Sequence, residues 1–335
     1  MIRKLMRLLS LTQGRDDGAS IGIELPTIER ERIAHLLRIE ENLPHLDWAA
    51  AWTMIERESN KDEVAASQLA RAIVAAWLDE LRDAMPTDSR RWRGWAVEGL
   101  APLEGTIGKR VASYAERSLH VIGEAFASIR GSVRDEPIPP IAIIVLATAD
   151  EYYSFISAYY DEGAFATSGG VYLRESPSNC AALIINAQTR YSVNAAIAHE
   201  LAHHALVPIT EAGRLGAGLP LWAEEGLTQM MEERVTGVSN FVFSREMRER
   251  HMQLWSEIGF DGLASGETFH SPDGEEQELS YNLAEAITRS LLSTRPGDFF
   301  AFARACVQDG VDAEDAAIAH LGKDVQEIAR DMLQV

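Results

Sequence analysis

The stretch that decides the fold runs from Ile197 to Leu206 and reads Ile-Ala-His-Glu-Leu-Ala-His-His-Ala-Leu. Apolar residues flank the polar ones on most sides, which predicts a helix packed against a core. His199 and His203 are four residues apart, so both side chains project from one face of this helix with Cβ atoms roughly 5–6 Å apart. One metal ion can bind both imidazoles.

Two imidazoles on one helical turn suit a borderline-soft divalent ion, and a catalytic zinc takes three protein ligands while leaving one position for water. A third ligand must therefore come from elsewhere in the chain. Glu200 lies about 100° round the helix from His199 and about 60° from His203, too far round to share the metal. It can still reach water at the metal, which makes it the natural general base.

A second helix is predicted where the chain reads Trp222-Ala-Glu-Glu-Gly226. Pro220 fits a first helical position and Gly237 fits just past the last turn. Glu224 and Glu225 are adjacent on this helix, and helical angles alone do not decide which of them would reach the metal. The glycine after Glu225 favours Glu225 modestly, because a missing side chain lets the backbone approach a neighbour closely.

These two segments together resemble a known family. His199-Glu-Leu-Ala-His203 followed by Leu219-Pro-Leu-Trp-Ala-Glu-Glu-Gly-Leu227 is similar to the gluzincin pattern of zinc metallopeptidases, HExxH with a later Trp-x-x-Glu-Gly, and in particular to the peptidase MA-like bacterial branch. The resemblance extends upstream to residues 169–173 and 181–186, similar to the hairpin that precedes the active-site helix, and downstream to the tyrosine-led segment 281–291.

The resemblance implies a function and a ligand set. Glu225, directly before the glycine, would be the third zinc ligand beside His199 and His203, and the chain would hydrolyse peptide bonds with Glu200 as base and then acid. Tyr281 matches the family helix by position and would donate a hydrogen bond to the oxyanion, with His270 as the alternative donor. The hairpin before the active-site helix would bind an extended protein or peptide substrate.

Other metal sites are less favoured by the spacing. A metzincin needs a further histidine where Ile209 stands, so that class is excluded. A deformylase-like site would take its third ligand from Cys180, but a cysteine directly before an apolar strand is usually a small hydrophobic residue. His204 faces about 100° away from His203, so a hydrogen-bonded, partly buried histidine is favoured over a fourth ligand.

The composition of the whole chain limits which partners and which cellular compartment can be expected. It has 335 residues, two cysteines and a formal net charge of −20, and such a field repels phosphate backbones and anionic lipid surfaces. No nucleic-acid partner is expected. Two cysteines cannot form a disulfide framework, and no stretch approaches the roughly 20 apolar residues of a membrane span, so a cytoplasmic protein is expected.

The predicted fold is α+β and mainly helical: an N-terminal helical region at residues 1–104, then a zincin-like domain at 105–335 with a small mixed sheet and a C-terminal helical lobe. Residues 1 to about 135 are predicted to be almost wholly helical. Strands are predicted at 141–146, 170–173 and 181–186. After a helix at 245–258, the residues from Gly262 to Glu278 are predicted to be a polar loop, and Tyr281 is predicted to open the next helix.

A second functional hypothesis comes from another class. The chain could be a catalytically inactive, metal-stabilised scaffold that binds a protein partner through its helical N-terminal region. A sealed metal site would favour the scaffold. For the enzyme, we hypothesise that the N-terminal helices limit access to the site or select the substrate.

Overall fold

The structure is a computed structural model that describes most of the chain. The described residues are 30–60, 62–93, 97–103, 107–133, 141–160, 169–173, 181–188, 193–210, 218–239 and 241–334. Cys180, the alternative ligand, lies outside these ranges.

A five-stranded mixed sheet forms the centre of the fold, in the order β3-β4-β5-β7-β6. β5 lies parallel to β4 and to β7, whereas the outer strands β3 and β6 are antiparallel to their neighbours. A separate two-stranded hairpin, β1-β2, precedes it. The strands are β1 Leu37–Glu40, β2 Leu43–Leu46, β3 Ser89–Arg93, β4 Val97–Pro102, β5 Ile141–Leu146, β6 Gly170–Leu173 and β7 Ala181–Asn186.

Helices make up most of the remaining described structure, so the fold is α+β and mainly helical, as predicted. They are α1 Arg30–Ala34, α2 Trp48–Ser59, α3 Glu63–Ala84, α4 Ile107–Val133, α5 Ala149–Ile156, α6 Val193–Thr210, α7 Leu221–Thr236, α8 Arg245–Ile258, α9 Asp261–Ser265, α10 Gly274–Thr294, α11 Pro296–Val307, α12 Ala313–Leu321 and α13 Val325–Leu333, with a 3-10 turn at Glu267–His270.

The two faces of the sheet bury two separate cores. Ile141, Ile143 and Val145 of β5 pack with α4, α6, α7 and the C-terminal helices. Ala142 and Ile144 point the other way and pack with α2, α3 and α5. Because successive side chains of a strand alternate between faces, a strand that is covered on both sides is an unbroken apolar run. The sheet therefore separates α2 and α3 from α6.

The prediction of an almost wholly helical N-terminal region is wrong in two places. Residues 37–46 form the β1-β2 hairpin, in which Glu41 (φ 50°) and Asn42 (φ 64°) both adopt the left-handed conformation that two-residue hairpin turns require. Residues 89–102 form β3 and β4. The division of the chain at residue 104 stays a prediction, and the central sheet joins strands from both sides of it.

The loop predicted from Gly262 to Glu278 is also wrong. This segment contains α9, a 3-10 turn and the start of α10 at Gly274. The side chain of Asp273 caps α10 by accepting a hydrogen bond from the backbone N–H of Glu275 at 2.8 Å. Tyr281 consequently lies inside α10, two turns after its start, and does not open the helix.

Candidate metal centre

Helix α6 places the two histidines of the central motif at the surface of the larger core. Its other side is fully buried, with Leu201 and Ala202 at 0% exposure. The imidazole centroids of His199 and His203 are 5.0 Å apart, and the two side chains keep 21% and 13% of their area exposed. The apolar face of α6 thus fixes the backbone, and the imidazoles point away from it on one side.

Helix α7 brings a carboxylate to both imidazoles. Glu225 Oε2 lies 3.6 Å from Nε2 of His199 and 3.4 Å from Nε2 of His203. One ligand atom from each of the three residues lies within 4.8 Å of the other two. This group of two histidines and one glutamate could hold a metal ion.

The next residue explains how Glu225 reaches this position. A Cβ atom on Gly226 would lie 2.2 Å from Thr288 Oγ1 and 2.6 Å from the carbonyl oxygen of Ala284, both in α10. Only glycine fits there, so the backbone of α7 packs directly against α10. Glu225, about 100° round the helix from Gly226, is directed toward α6.

The three side chains fit a divalent ion in spacing and chemistry. Two ligand atoms at roughly 2.0–2.2 Å from a tetrahedral zinc lie about 3.3–3.6 Å apart, the range in which the Nε2 to Oε2 distances fall. Glu225 Oε2 is buried and accepts no hydrogen bond from the described residues. A buried carboxylate oxygen without a donor is costly, and a cation would satisfy it.

Separate carboxylates of α7 face the other ring nitrogens. His203 Nδ1 is 2.8 Å from Glu224 Oε1, a hydrogen bond, and His199 Nδ1 is 3.4 Å from Glu232 Oε2. Glu224, considered from sequence as a metal ligand, therefore contacts the far side of the imidazole. The sequence reasoning missed Glu232, although it follows Glu225 by seven residues and so lies on nearly the same face of the helix.

The electrostatics of the cluster follow from burial and close charges. Burial opposes charge on His203, but the carboxylates of Glu225 and Glu224 hold its pKa well above the ordinary value. Burial likewise opposes charge on His199, and its pKa is raised, chiefly by Glu232. The pKa of Glu225 is lowered because the two imidazoles outweigh its burial.

Glu200 stands beside this cluster, close enough for its charge to interact with those of His199, His203 and Glu225. Burial raises its pKa, although His199 and His203 act in the opposite direction. A Cβ atom on Gly170 of β6 would lie 3.5 Å from Glu200 Cγ. Since β6 is the outermost described strand on that side of the sheet, Glu200 lies next to the edge of the described sheet.

Both suggested oxyanion donors lie near the cluster. The ring of Tyr281 packs edge-on against Phe269, with centroids 5.1 Å apart. Burial raises the pKa of Tyr281, and the charges of Glu225 and Glu200 raise it further, so its hydroxyl keeps its proton. His270 is exposed, and its charge acts on Glu225. The geometry does not decide between Tyr281 and His270 as the oxyanion donor.

His204 is a structural partner of the edge strand. It is fully buried, and its Nδ1 lies 2.8 Å from the hydroxyl of Tyr172 in β6. The prediction of a hydrogen-bonded histidine is confirmed, and the burial is more complete than expected. The contact ties β6 to the helix that carries His199 and His203.

A comparison of the chain with models of known protein families finds no match, and a search of curated proteins finds no significant match. Among the described residues, no helix is long and apolar enough to cross a membrane. The functional argument therefore rests on the sequence motif and on the geometry of the cluster.

Proposed function

We propose that this protein is a zinc-dependent metalloprotease of the gluzincin type, with His199, His203 and Glu225 as the metal ligands. The observation that carries the proposal is the spacing of the Nε2 and Oε2 atoms, 3.4 and 3.6 Å, around a glutamate oxygen that accepts no hydrogen bond from the described residues. Glu200, the residue after His199, supplies an acid-base group at the same place.

The donor set favours zinc among the common divalent ions. Magnesium and calcium prefer sites made wholly of oxygen ligands, whereas two imidazoles and one carboxylate are typical of catalytic zinc. When bound, zinc polarises a carbonyl group and lowers the pKa of water toward neutrality. The remaining chemistry belongs to the residues around it.

Glu200 is the proposed proton carrier. Its carboxylate takes a proton from the attacking water and then delivers it to the leaving amine. The raised pKa of the buried carboxyl group suits this exchange, because a base with a pKa closer to neutrality can both accept and release the proton. Tyr281, whose hydroxyl stays protonated, is the proposed donor to the oxyanion, and His270 is the alternative.

The substrate proposed is an extended segment of protein or peptide. Among the described strands, β6 is the outermost one on the side of Glu200, and an extended segment commonly binds a sheet by adding a strand at its edge. The partial exposure of His199 and His203 supports an enzyme over a sealed metal-stabilised scaffold, since a substrate must reach the metal.

The test is the metal content and proteolytic activity of wild type and Glu200→Gln on an unfolded protein substrate. Wild type should bind one zinc per chain and cleave, whereas Glu200→Gln should keep its zinc and lose about 10²–10⁴-fold in kcat, because the amide cannot accept the proton. Glu257→Gln, the same change at an exposed position on α8, is the matched control and should cleave at the wild-type rate. Cleavage by Glu200→Gln at the wild-type rate would refute this mechanism.

A further inference from the structure

We propose that Glu224 and Glu232 are positioning residues, which hold Nδ1 of His203 and of His199 so that Nε2 of both imidazoles is directed at the metal. This inference rests on the proposed metal site and adds two residues that neither the motif nor the family resemblance identifies. Both come from helix α7, the element that also provides Glu225.

The contacts divide the two nitrogens of each ring between different carboxylates. Nε2 of both rings faces Glu225, at 3.6 and 3.4 Å. Nδ1 of His203 faces Glu224 at 2.8 Å, and Nδ1 of His199 faces Glu232 at 3.4 Å. Each imidazole therefore lies between two carboxylates of one helix.

This arrangement determines which nitrogen carries the proton in a neutral imidazole. An ionised carboxylate only accepts hydrogen bonds, so Nδ1 of His203, at hydrogen-bond distance from Glu224, is the N–H donor, and Nδ1 of His199 is directed at Glu232 in the same sense. A neutral imidazole has one N–H, which leaves the lone pair on Nε2 for the metal. A carboxylate on the far side of the ring also makes the coordinating nitrogen more basic.

The spacing of the glutamates on α7 explains how one helix serves both rings. Glu225 and Glu232 are seven residues apart, about 20° short of two full turns, so both face α6. Glu224 lies about 100° round the helix from Glu225 and reaches the other side of His203. Glu233, next to Glu232, pairs instead with Arg289 of α10, which also pairs with Glu285. These ion pairs fasten the end of α7 that carries Glu232.

The two glutamates should not contribute equally. Glu224 is at the distance of a charge-assisted hydrogen bond, whereas 3.4 Å between His199 and Glu232 is longer than an ordinary one. Loss of Glu224 should therefore weaken metal binding more than loss of Glu232.

The first measurement is the affinity for Zn²⁺ and Co²⁺ alone, by competition with a chromophoric chelator. Glu224→Leu should lower the affinity by about 10–100-fold, as loss of such an outer hydrogen bond does. Glu224→Gln, whose amide oxygen still accepts the Nδ1 hydrogen bond, should fall between Glu224→Leu and wild type, and Glu232→Gln should have the smaller effect of the two Gln variants. Glu257→Gln removes an equal charge at an exposed position on α8, far from either imidazole in the chain, and its affinity should match that of wild type.

The second measurement reports the ring protons themselves, which a merely structural role would not move. In zinc-loaded protein labelled with ¹⁵N-histidine, long-range ¹H–¹⁵N correlations should show the proton of His203 on Nδ1, and its hydrogen-bonded signal should shift upfield or disappear in Glu224→Gln. Because Gln is close in size to Glu, this variant keeps the test valid if Glu224→Leu fails to fold.

The outcomes separate this proposal from the function on which it rests. If wild type binds metal and both Gln variants bind it equally well, with an unchanged Nδ1 signal, the positioning role is overturned and the enzyme proposal stands. If wild type binds neither Zn²⁺ nor Co²⁺, both proposals are overturned.

Discussion

At the scale of single residues, Glu224 and Glu225 show how adjacent identical side chains take different parts. Glu225 faces Nε2 of His203, and Glu224 faces Nδ1 of the same ring. The two side chains leave α7 about 100° apart, so they pass on either side of the imidazole. Substitutions at these two positions should therefore affect different atoms of one ring, although the residues are neighbours in sequence.

A histidine outside the metal site should make the stability of the protein depend on pH. His251 is fully buried and packs edge-on to Phe243, and burial, aided by the charge of Arg250, lowers its pKa to about 4. The unfolded chain then binds more protons than the folded one between about pH 6.5 and pH 4. The contribution of neutral His251 to the free energy of unfolding is fully present above about pH 6.5, the pKa of histidine in the unfolded chain, and is lost as the pH falls toward 4.

The measurement is urea unfolding of wild type and His251→Leu at pH 7 and pH 5. From pH 7 to pH 5, the free energy of unfolding of wild type should fall by about 1–2 kcal/mol more than that of the variant, because only wild type has a buried ring that resists protonation. All other titrating groups are common to both proteins, so they cancel in the comparison. An equal loss in the two proteins would show that His251 keeps an ordinary pKa.

At the scale of elements, the contact between α7 and α10 determines where Glu225 lies. Gly226 allows the two backbones to touch, and the side-chain amide of Gln229 donates to the carbonyl oxygen of Tyr281 at 2.8 Å. The metal ligand and the proposed oxyanion donor are thus carried by two helices that are fixed to each other. A small change at their contact should be felt at the metal.

Gly226→Ala is the direct test of this contact. The added methyl group would meet Thr288 and the backbone of Ala284, and overpacking of this kind costs about 1–3 kcal/mol, more than the gain of roughly 1 kcal/mol in helix propensity. We expect a lower free energy of unfolding by urea and weaker metal binding.

The control for that change is Gly297→Ala in α11, where an added Cβ atom would meet no described residue within 4 Å. This variant should keep the free energy of unfolding and the metal affinity at or above their wild-type values, since only the gain in helix propensity remains. If Gly226→Ala proves as stable as Gly297→Ala, the close approach of α7 and α10 is not what positions Glu225.

The elements that sequence could predict are those with a strong local pattern. The apolar runs at 141–146 and 181–186 are buried on both faces and form the predicted strands. β3 was missed because Ser-Arg-Arg-Trp-Arg is mostly polar, and only its pairing with β4 makes it a strand. The contact of His199 with Glu232 joins two helices, and in the sequence only the seven-residue spacing of Glu232 from Glu225 pointed to it, whereas His199 and His203 follow from spacing within one motif.

At the scale of the whole molecule, metal binding should be coupled to the stability of the fold. The proposed ligands come from α6 and α7, which pack in the larger core, so an ion that binds them stabilises only the folded chain. At a free ion concentration of 100 times Kd, the gain is about 2.7 kcal/mol. Removal of metal should lower the thermal midpoint, and the midpoint should rise with the concentration of Zn²⁺.

The controls for this prediction are a second ion, Mg²⁺, and a variant that lacks one ligand, Glu225→Ala. Mg²⁺ should give little shift, because it prefers six oxygen ligands, and Glu225→Ala should lose most of the response to Zn²⁺. A midpoint that does not change with Zn²⁺ in wild type would contradict a metal site in the folded core.

The central sheet also bears on the hypothesis that the N-terminal helices limit access to the metal. Helices α2 and α3 pack on one face of the sheet, and α6 packs on the other. The sheet therefore stands between these helices and the two histidines. This placement argues against the idea that α2 and α3 cover the metal site directly. It favours a role for them in the core on the other face of the sheet.

Because β4 pairs with β5, we expect that residues 105–335, which carry the proposed metal ligands, do not fold correctly on their own. A fragment starting at residue 105 would lack β3 and β4, so the edge of the wholly apolar strand β5 that pairs with β4, at Ile141–Ile144, would lose its partner, while the other edge stays paired with β7. Such an open border is a template for pairing with another chain, so the fragment should self-associate before it could work as an enzyme. In any recombination of this gene, the two halves would have to be inherited together.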